Sequence, residues 1–138
     1  MPLLDSEAFE NLQMILEEIR DLSSEGVAII VEGESDERSL RELDIEGPVY
    51  QVPKGGKTSL NSLEDLAGCE EVIILTDFDR TGEDLADFCK EHLEMLGVEV
   101  FSIQRKKLKN VVRKAVKDIE GLASFVHSEQ VAHKGHNS

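Results

Sequence analysis

The stretch EVIILTDFDRTGED, residues 71–84, carries the strongest structural signal in the chain. An apolar, β-prone run ends abruptly at Asp77, which predicts a buried strand over residues 72–76. Apolar residues at helical spacing follow from Gly82 to Leu96 and predict a helix directly after the turn. A strand, a tight acidic turn and a helix form the repeating unit of a parallel α/β sheet.

The same unit recurs on both sides of this stretch. Predicted strands cover residues 27–31, 49–52, 72–76 and 98–103, and predicted helices cover 5–24, 36–43, 60–67, 82–96 and the basic segment up to 119. This alternation predicts an α/β, Rossmann-like fold with about four mostly parallel strands flanked by helices. We expect an extra N-terminal helix in residues 1–25, one domain over 26–126, and a polar, flexible tail over 127–138.

Length and composition fit a single folded domain. The chain has 138 residues, of which 40% are hydrophobic, which is enough for one core. No apolar run approaches the ~20 residues that span a bilayer, and no basic region leads into an apolar one near the N-terminus. Cys69 and Cys89 lack the spacing of a zinc site or a disulfide framework. We therefore expect a cytoplasmic protein without a membrane partner.

Charge is distributed unevenly along the chain. The net charge is −14, yet residues 104–138 alone carry eight Lys or Arg against three acidic residues. Seven of these eight cations lie between Arg105 and Lys117. Such a basic segment on an acidic body suits a phosphate-bearing ligand. The alternative is that it neutralises neighbouring acidic helices.

Acidic residues stand where two predicted strands end. Glu32 follows the strand over 27–31, and Asp77 and Asp79 follow the strand over 72–76. Ligands bind outside the carboxyl ends of parallel strands, so these carboxylates would meet at one edge if the two strands are neighbours. Carboxylates crowded together need a cation, and Mg²⁺ prefers oxygen ligands. The alternative is that an aspartate here only caps the helix that follows.

The stretches VEGESD (31–36) and TDFDRTGEDL (76–85) resemble the two signature motifs of the Toprim domain. That domain is shared by topoisomerases, bacterial primases, the 5S rRNA maturation nuclease and small stand-alone prokaryotic proteins, and the resemblance covers about residues 27–103. It implies that Glu32 is a general acid or base and that Asp77 and Asp79 hold Mg²⁺, or Mn²⁺, with Glu32 as a further candidate metal ligand. Gly33 and Gly82 take the structural glycine positions of the motifs.

The resemblance also implies limits. Type IA topoisomerases often have a further acidic residue where this chain has Thr81, and Tyr50 is its single tyrosine. We therefore expect neither topoisomerase activity nor primer synthesis from this chain. The hypothesis is a Mg²⁺-dependent protein acting on nucleic-acid phosphodiesters, such as a nuclease in RNA processing or DNA repair. The alternative is a non-catalytic, metal-dependent module that uses the metal site to bind nucleic acid or a protein partner; the oligomeric state is open.

A third interpretation rests on the same turn. Residues 77–81, DFDRT, also resemble the nucleophile motif of haloacid-dehalogenase-type phosphatases, with Asp77 attacking phosphorus and Asp79 as acid or base. That family needs a later lysine and a downstream acidic pair, and no paired aspartates end a strand after residue 81. Glu32 would also have no role, which makes this the weaker interpretation.

Several cations are candidates for contact with phosphate. Lys54 and Lys57 lie in the glycine-rich loop PKGGKT (53–58), and Arg80 follows Asp79 directly. The loop lacks the GxxxxGK[ST] spacing of a nucleotide-binding loop, because Gln51 stands where glycine is required. The basic segment would track a nucleic-acid backbone through charge. Its candidates are Arg105, Lys106, Lys109 and Arg113.

Overall fold

The computed structural model describes residues 1–52 and 63–136, and it has the α/β architecture that the sequence predicts. The helices are α1 (Ser6–Ser24), α2 (Glu34–Glu42), α3 (Arg80–Met95), α4 (Ile103–Val112) and α5 (Leu122–His136). The strands are β1 (Ala28–Val31), β2 (Val49–Gln51), β3 (Glu71–Ile74) and β4 (Glu99–Phe101). The additional N-terminal helix is α1, whose first turn is capped by Asp5 through a 2.8 Å bond from Ala8 N.

The four strands form one parallel sheet in the order β2-β1-β3-β4. β1 and β3 are therefore neighbours, and their register pairs Ile29 with Ile73 and Ile30 with Ile74. Because the strands are parallel and in register, the residues that follow β1 and β3 emerge at the same edge of the sheet. This is the arrangement on which a shared site at Glu32 and Asp77 depends.

Both faces of the sheet are covered, which explains why β1 and β3 are apolar without alternation. Ile29 and Ile73 point into a core formed with α1, α2, α4 and α5. Ile30 and Ile74 point the other way, against α3 and the apolar residues of the segment 63–66. The sheet is thus the middle of three layers, and the site edge lies at the top of its two central strands.

The C-terminal third differs from the sequence-based expectation. The basic helix α4 ends at Val112, and a connecting segment leads to α5. Residues 127–136, expected as a polar, flexible tail, continue α5. Polar residues of this helix are buried: the Glu129 carboxylate accepts bonds from Leu3 N and Leu4 N, the shortest 2.7 Å, and the His133 ring stacks on Phe9 at 4.0 Å. Contacts with the N-terminal residues hold this segment in place. The polarity of the segment alone does not reveal these contacts.

Across the two described stretches, no helix combines the length and the apolar character needed to cross a membrane.

Candidate functional site

Glu32 and Asp77 are joined directly at the sheet edge. Glu32 is the first residue after β1, and its Oε2 accepts a 2.8 Å hydrogen bond from the backbone N–H of Asp77. The two residues are 45 positions apart in sequence, and the pairing of β1 with β3 brings them together. The bond fixes the Glu32 carboxylate over the turn that follows β3.

The Asp77 side chain points towards the segment between α4 and α5. Its Oδ1 accepts a 3.0 Å bond from Ile119 N, and the next residue, Phe78, donates its N–H to Lys117 O at 2.8 Å. The turn is therefore held from two sides, by Glu32 after β1 and by the 117–119 backbone. Asp77 is placed by the tertiary structure rather than by its own turn.

Asp79 has a local role in this structure. It is the N-cap of α3, and its Oδ1 accepts a 2.7 Å bond from Gly82 N. Gly82 in turn lies against the backbone of Asp77, where an added Cβ would be 2.5 Å from the carbonyl carbon and would overlap the carbonyl oxygen. Only glycine allows α3 to start this close to the turn.

Burial and crowding raise the pKa of Asp77 to about 7. Loss of hydration is the main cause, and the charges of Asp36, Glu32 and Asp118 add to it, while the bond from Ile119 N opposes it. Burial also raises the pKa of Asp36, with the charge of Glu32 as a further contribution. Four carboxyl groups thus share this edge and repel one another.

The sequence emphasises only part of this acidic edge. Asp36 sits in the first turn of α2 and accepts a 3.1 Å bond from Gly33 N, as expected of a capping residue. Asp118 gives no strand-end signal, because it belongs to the α4–α5 segment, where its Oδ1 accepts from Gly121 N at 2.8 Å. Only the folding of that segment back over the turn brings Asp118 to the edge.

The donor chemistry of this edge suits Mg²⁺, because carboxylate oxygens are the ligands that hard divalent cations prefer. Among the described residues, however, no group of three acidic, His or Cys side chains is gathered closely enough to hold a metal. Among the described residues, Asp77 and Asp79 each accept a hydrogen bond through Oδ1. Oδ2 of each carboxylate is therefore the oxygen that would bind a ligand. Glu32, Asp77 and Asp79 would hold the ion only after side-chain rotation.

Arg105 is an internal brace and not a surface cation. Its side chain is 3% exposed, and the guanidinium donates to Thr76 O at 3.0 Å, to Asp77 O, and to Glu83 Oε2 at 2.7 Å. All of these partners lie in or next to the β3–α3 turn. The expectation that Arg105 contacts a nucleic-acid phosphate is therefore corrected: its donors are used inside the protein, where they hold the Asp77 turn in place.

The other predicted cations are spread over the surface. Arg80 is exposed and lies 3.4 Å from Asp84, whereas Lys109 is half-buried and lies 3.5 Å from Glu83. Lys106 and Arg113 are exposed on α4 and at its C-terminal end. The basic segment thus partly neutralises acidic neighbours and partly faces solvent. Lys54 and Lys57 lie outside the described residues.

Gly33 is not required by the backbone here. It is the N-cap of α2 with φ −160°, an extended conformation that any residue adopts, and a Cβ would meet no described atom within 4 Å.

Comparison with known proteins agrees with this architecture. Residues 27–119 match the family described as the Toprim domain. A UPF0292 protein of Pyrococcus horikoshii is 37% identical over 120 residues, which are 86% of each chain, and one of Methanosarcina acetivorans is 34% identical over 85% of this chain and 81% of its own. A solved structure, a protein from Aquifex aeolicus, superposes with a TM-score of 0.65 at 30% identity, covering 79% of this chain and 95% of that one.

Proposed function

Because this chain belongs to the Toprim domain family, with small archaeal UPF0292 proteins among its relatives, we propose that it is a Mg²⁺-dependent enzyme that cleaves nucleic-acid phosphodiesters. Mn²⁺ is the alternative ion. The haloacid-dehalogenase interpretation is set aside, since it assigns no role to Glu32.

One observation carries the proposal. Glu32 and Asp77 come from adjacent strands and are held together by a 2.8 Å hydrogen bond at the open edge of the sheet. They are the positions at which the resemblance puts the acid or base and a metal ligand. Repulsion between the carboxylates contributes to the raised pKa of Asp77. A divalent ion would relieve this repulsion, which favours cation binding at this edge.

The residues divide into four roles in this proposal. Asp77 and Asp79 hold the ion, and Glu32 transfers the proton between the nucleophile or leaving group and solvent. Bound Mg²⁺ would orient the phosphodiester and offset the charge that develops on phosphorus. Arg105 and Gly82 position the turn without touching substrate. Arg80 and the exposed cations of α4, Lys106 and Arg113, attract the nucleic-acid backbone through charge.

A second candidate function is favoured by a different observation. Asp79 is already used as the cap of α3, and the described residues contain no ready three-ligand metal group. A metal-dependent module that docks nucleic acid or a protein without cleaving it does not need a complete catalytic group of three ligands. This candidate predicts binding with no turnover.

The test is an assay of end-labelled RNA and DNA, single-stranded and duplex, with Mg²⁺, with Mn²⁺ and with chelator. The enzyme proposal predicts metal-dependent cleavage that falls by about 100-fold or more in Glu32→Gln, the scale of a lost general acid or base. Asp77→Asn is expected to raise the metal concentration needed for activity. Asp87→Asn, an exposed change on α3, is the matched control and should cleave normally.

Binding that persists without cleavage under every metal condition would favour the module. Cleavage unaffected by Glu32→Gln and Asp77→Asn would show that the activity comes from elsewhere in the chain or from a contaminant, and would refute the assigned site.

A further inference from the structure

A groove between α1 and α4 is separate from the acidic sheet edge. Its volume is about 750 Å³. Its apolar lining residues are Met14, Ile15, Leu22 and Val111, and its polar lining residues, here called the border, are Asn11, Glu17, Glu18, Asp21, Lys107 and Asn110. Met14 is 63% exposed, which is high for a large apolar side chain in the middle of a helix. The groove therefore offers apolar surface with a polar border.

The charges along the border are mostly acidic. Glu18 is neutralised, since its carboxylate accepts from Gln104 Nε2 at 3.0 Å and lies 3.8 Å from Lys107 Nζ. Glu17 and Asp21 are exposed, and neither lies within 4.0 Å of a Lys, Arg or His nitrogen among the described residues. They are four positions apart on one helix, an arrangement in which like charges repel. A cationic partner would remove that repulsion.

The length of the groove indicates the size of the partner segment that it can bind. The groove follows α1 from Asn11 to Leu22, a length of about 16 Å at the rise of an α-helix. About three turns of a partner helix fit this length. A second copy of this chain is a poor match, because its net charge of −14 opposes association with an acidic border. At this groove, the exposed carboxylates of Glu17 and Asp21 also repel a nucleic-acid backbone.

We propose that this groove docks a basic amphipathic helix from a partner protein, with apolar side chains against Met14 and Val111 and cations beside Glu17 and Asp21. This is the helix-in-groove mode of recognition, in which one apolar face provides affinity and border charges select the partner. The inference does not depend on the proposed nuclease function, since no groove residue belongs to the acidic sheet edge.

The probe is a fluorescent peptide of about 14 residues, or roughly four helical turns, with Leu at positions i, i+3, i+4 and i+7 and Lys elsewhere. Two further peptides distinguish the effect of peptide charge on binding from the effect of the amphipathic arrangement. One keeps the Leu positions and replaces Lys with Glu, and the other has the same composition as the probe in scrambled order. Binding to the full chain is measured by fluorescence anisotropy at low and high salt.

The amphipathic cationic peptide is expected to bind, and both comparison peptides are expected to bind at least about tenfold more weakly. Glu17→Gln with Asp21→Asn should reduce its affinity about tenfold, the scale of two partly screened charge contacts. Met14→Gln should also weaken binding, while circular dichroism shows the same helix content. The control Asp87→Asn with Glu91→Asn removes an equivalent exposed i,i+4 acidic pair from α3 and should change affinity less than about twofold.

Equal binding of the scrambled peptide, or an equal loss in the α3 control, would overturn the proposal by showing that net charge alone attracts the probe. Failure of the amphipathic peptide to bind would overturn it as well. Loss of nuclease activity in the groove variants is not expected, so the outcomes of the two proposals can be told apart.

Discussion

Gly82 lies where α3 comes closest to the Asp77 backbone, and a side chain there has no room. We expect Gly82→Ala to reduce the free energy of unfolding by about 2 kcal/mol, the scale of overpacking in a rigid site, even though alanine favours helix more than glycine does. Urea denaturation measures this loss. Gly68→Ala is the control, because an added Cβ at Gly68 meets no atom of the described residues within 4 Å; an equal loss in both variants would contradict the steric explanation.

The raised pKa of Asp77 predicts an unusual dependence of the free energy of unfolding on pH in the metal-free protein. Its pKa is raised from an ordinary value of 3.8 to about 7, so the folded state holds a proton that the unfolded state releases between these two values. Rising pH therefore destabilises the fold through this group, and the full cost is present above about pH 7.

Asp77→Asn removes that cost and keeps an acceptor for Ile119 N. We expect the variant to be less stable than, or equal to, the natural protein near pH 4 and more stable near pH 8, by on the order of 1 kcal/mol because solvent screens this half-buried group. Thermal unfolding with chelator across that pH range gives the comparison. The exposed control Asp87→Asn should show a flat difference, and a flat difference for Asp77→Asn would contradict the assigned pKa.

At the residue scale, the sequence identifies some site residues and hides others. Glu32 and Asp77 can be found because strand ends are visible in the pattern and parallel neighbours share an edge. Arg105 cannot be told from the surface cations beside it, since its burial depends on how α4 packs over the β3–α3 turn. Asp118 cannot be found for a similar reason, because only the tertiary structure brings the segment between α4 and α5 close to the acidic sheet edge.

At the scale of elements, α4 stabilises the site through the buried side chain of Arg105. Arg105 connects α4 to Thr76 O, to Asp77 O and to Glu83 on α3. The hydrogen bond from Arg105 lowers the pKa of Glu83, so this pair stabilises the fold above the ordinary pKa of Glu83 and the contribution is lost as pH falls through the lowered value.

Arg105→Met should therefore destabilise the protein by about 2 kcal/mol or more, since two carbonyl groups and the Glu83 carboxylate lose their donor. Arg105→Lys should recover only part of the loss, because an ammonium group does not reproduce the planar fork of donors. Chemical denaturation of both variants tests this, with the exposed Lys106→Met on the same helix as control. A loss no larger than that of Lys106→Met would mean that the brace is unimportant.

The helices and strands were more predictable than their ends. β1 and β3 are evident because burial on both faces makes each an unbroken apolar run, and α1 and α3 are evident from their 3.6-residue spacing. The C-terminal end of α4 and the helical conformation of residues 127–136 could not be predicted from the sequence. In both regions the chain has distant contacts that no local pattern records: Lys117 O, after α4, accepts from Phe78 N, and Glu129 bonds to residues about 125 positions away.

At the scale of the whole molecule, Glu129 connects the two ends of the described chain. Its carboxylate accepts from Leu3 N and Leu4 N in a buried position. Glu129→Ala should cost about 1–3 kcal/mol, the scale of buried donors left without an acceptor, and should increase proteolysis near the N-terminus. Limited proteolysis with mass spectrometry measures this. The exposed Glu120→Ala is the control, and equal protection in both would show that the link does not hold the N-terminus.

The bond from Ile119 N to Asp77 Oδ1 has a consequence for spectroscopy. An ion that draws the Asp77 carboxylate away would deprive that amide of its acceptor, so occupancy of the edge would be reported 42 residues along the chain. Amide hydrogen exchange and the proton chemical shift of Ile119 should therefore change as Mg²⁺ is added, while the bond from Ala8 N to Asp5 stays constant as an internal standard. If the edge binds Mg²⁺ as proposed, the Ile119 amide would report the ion without any substrate.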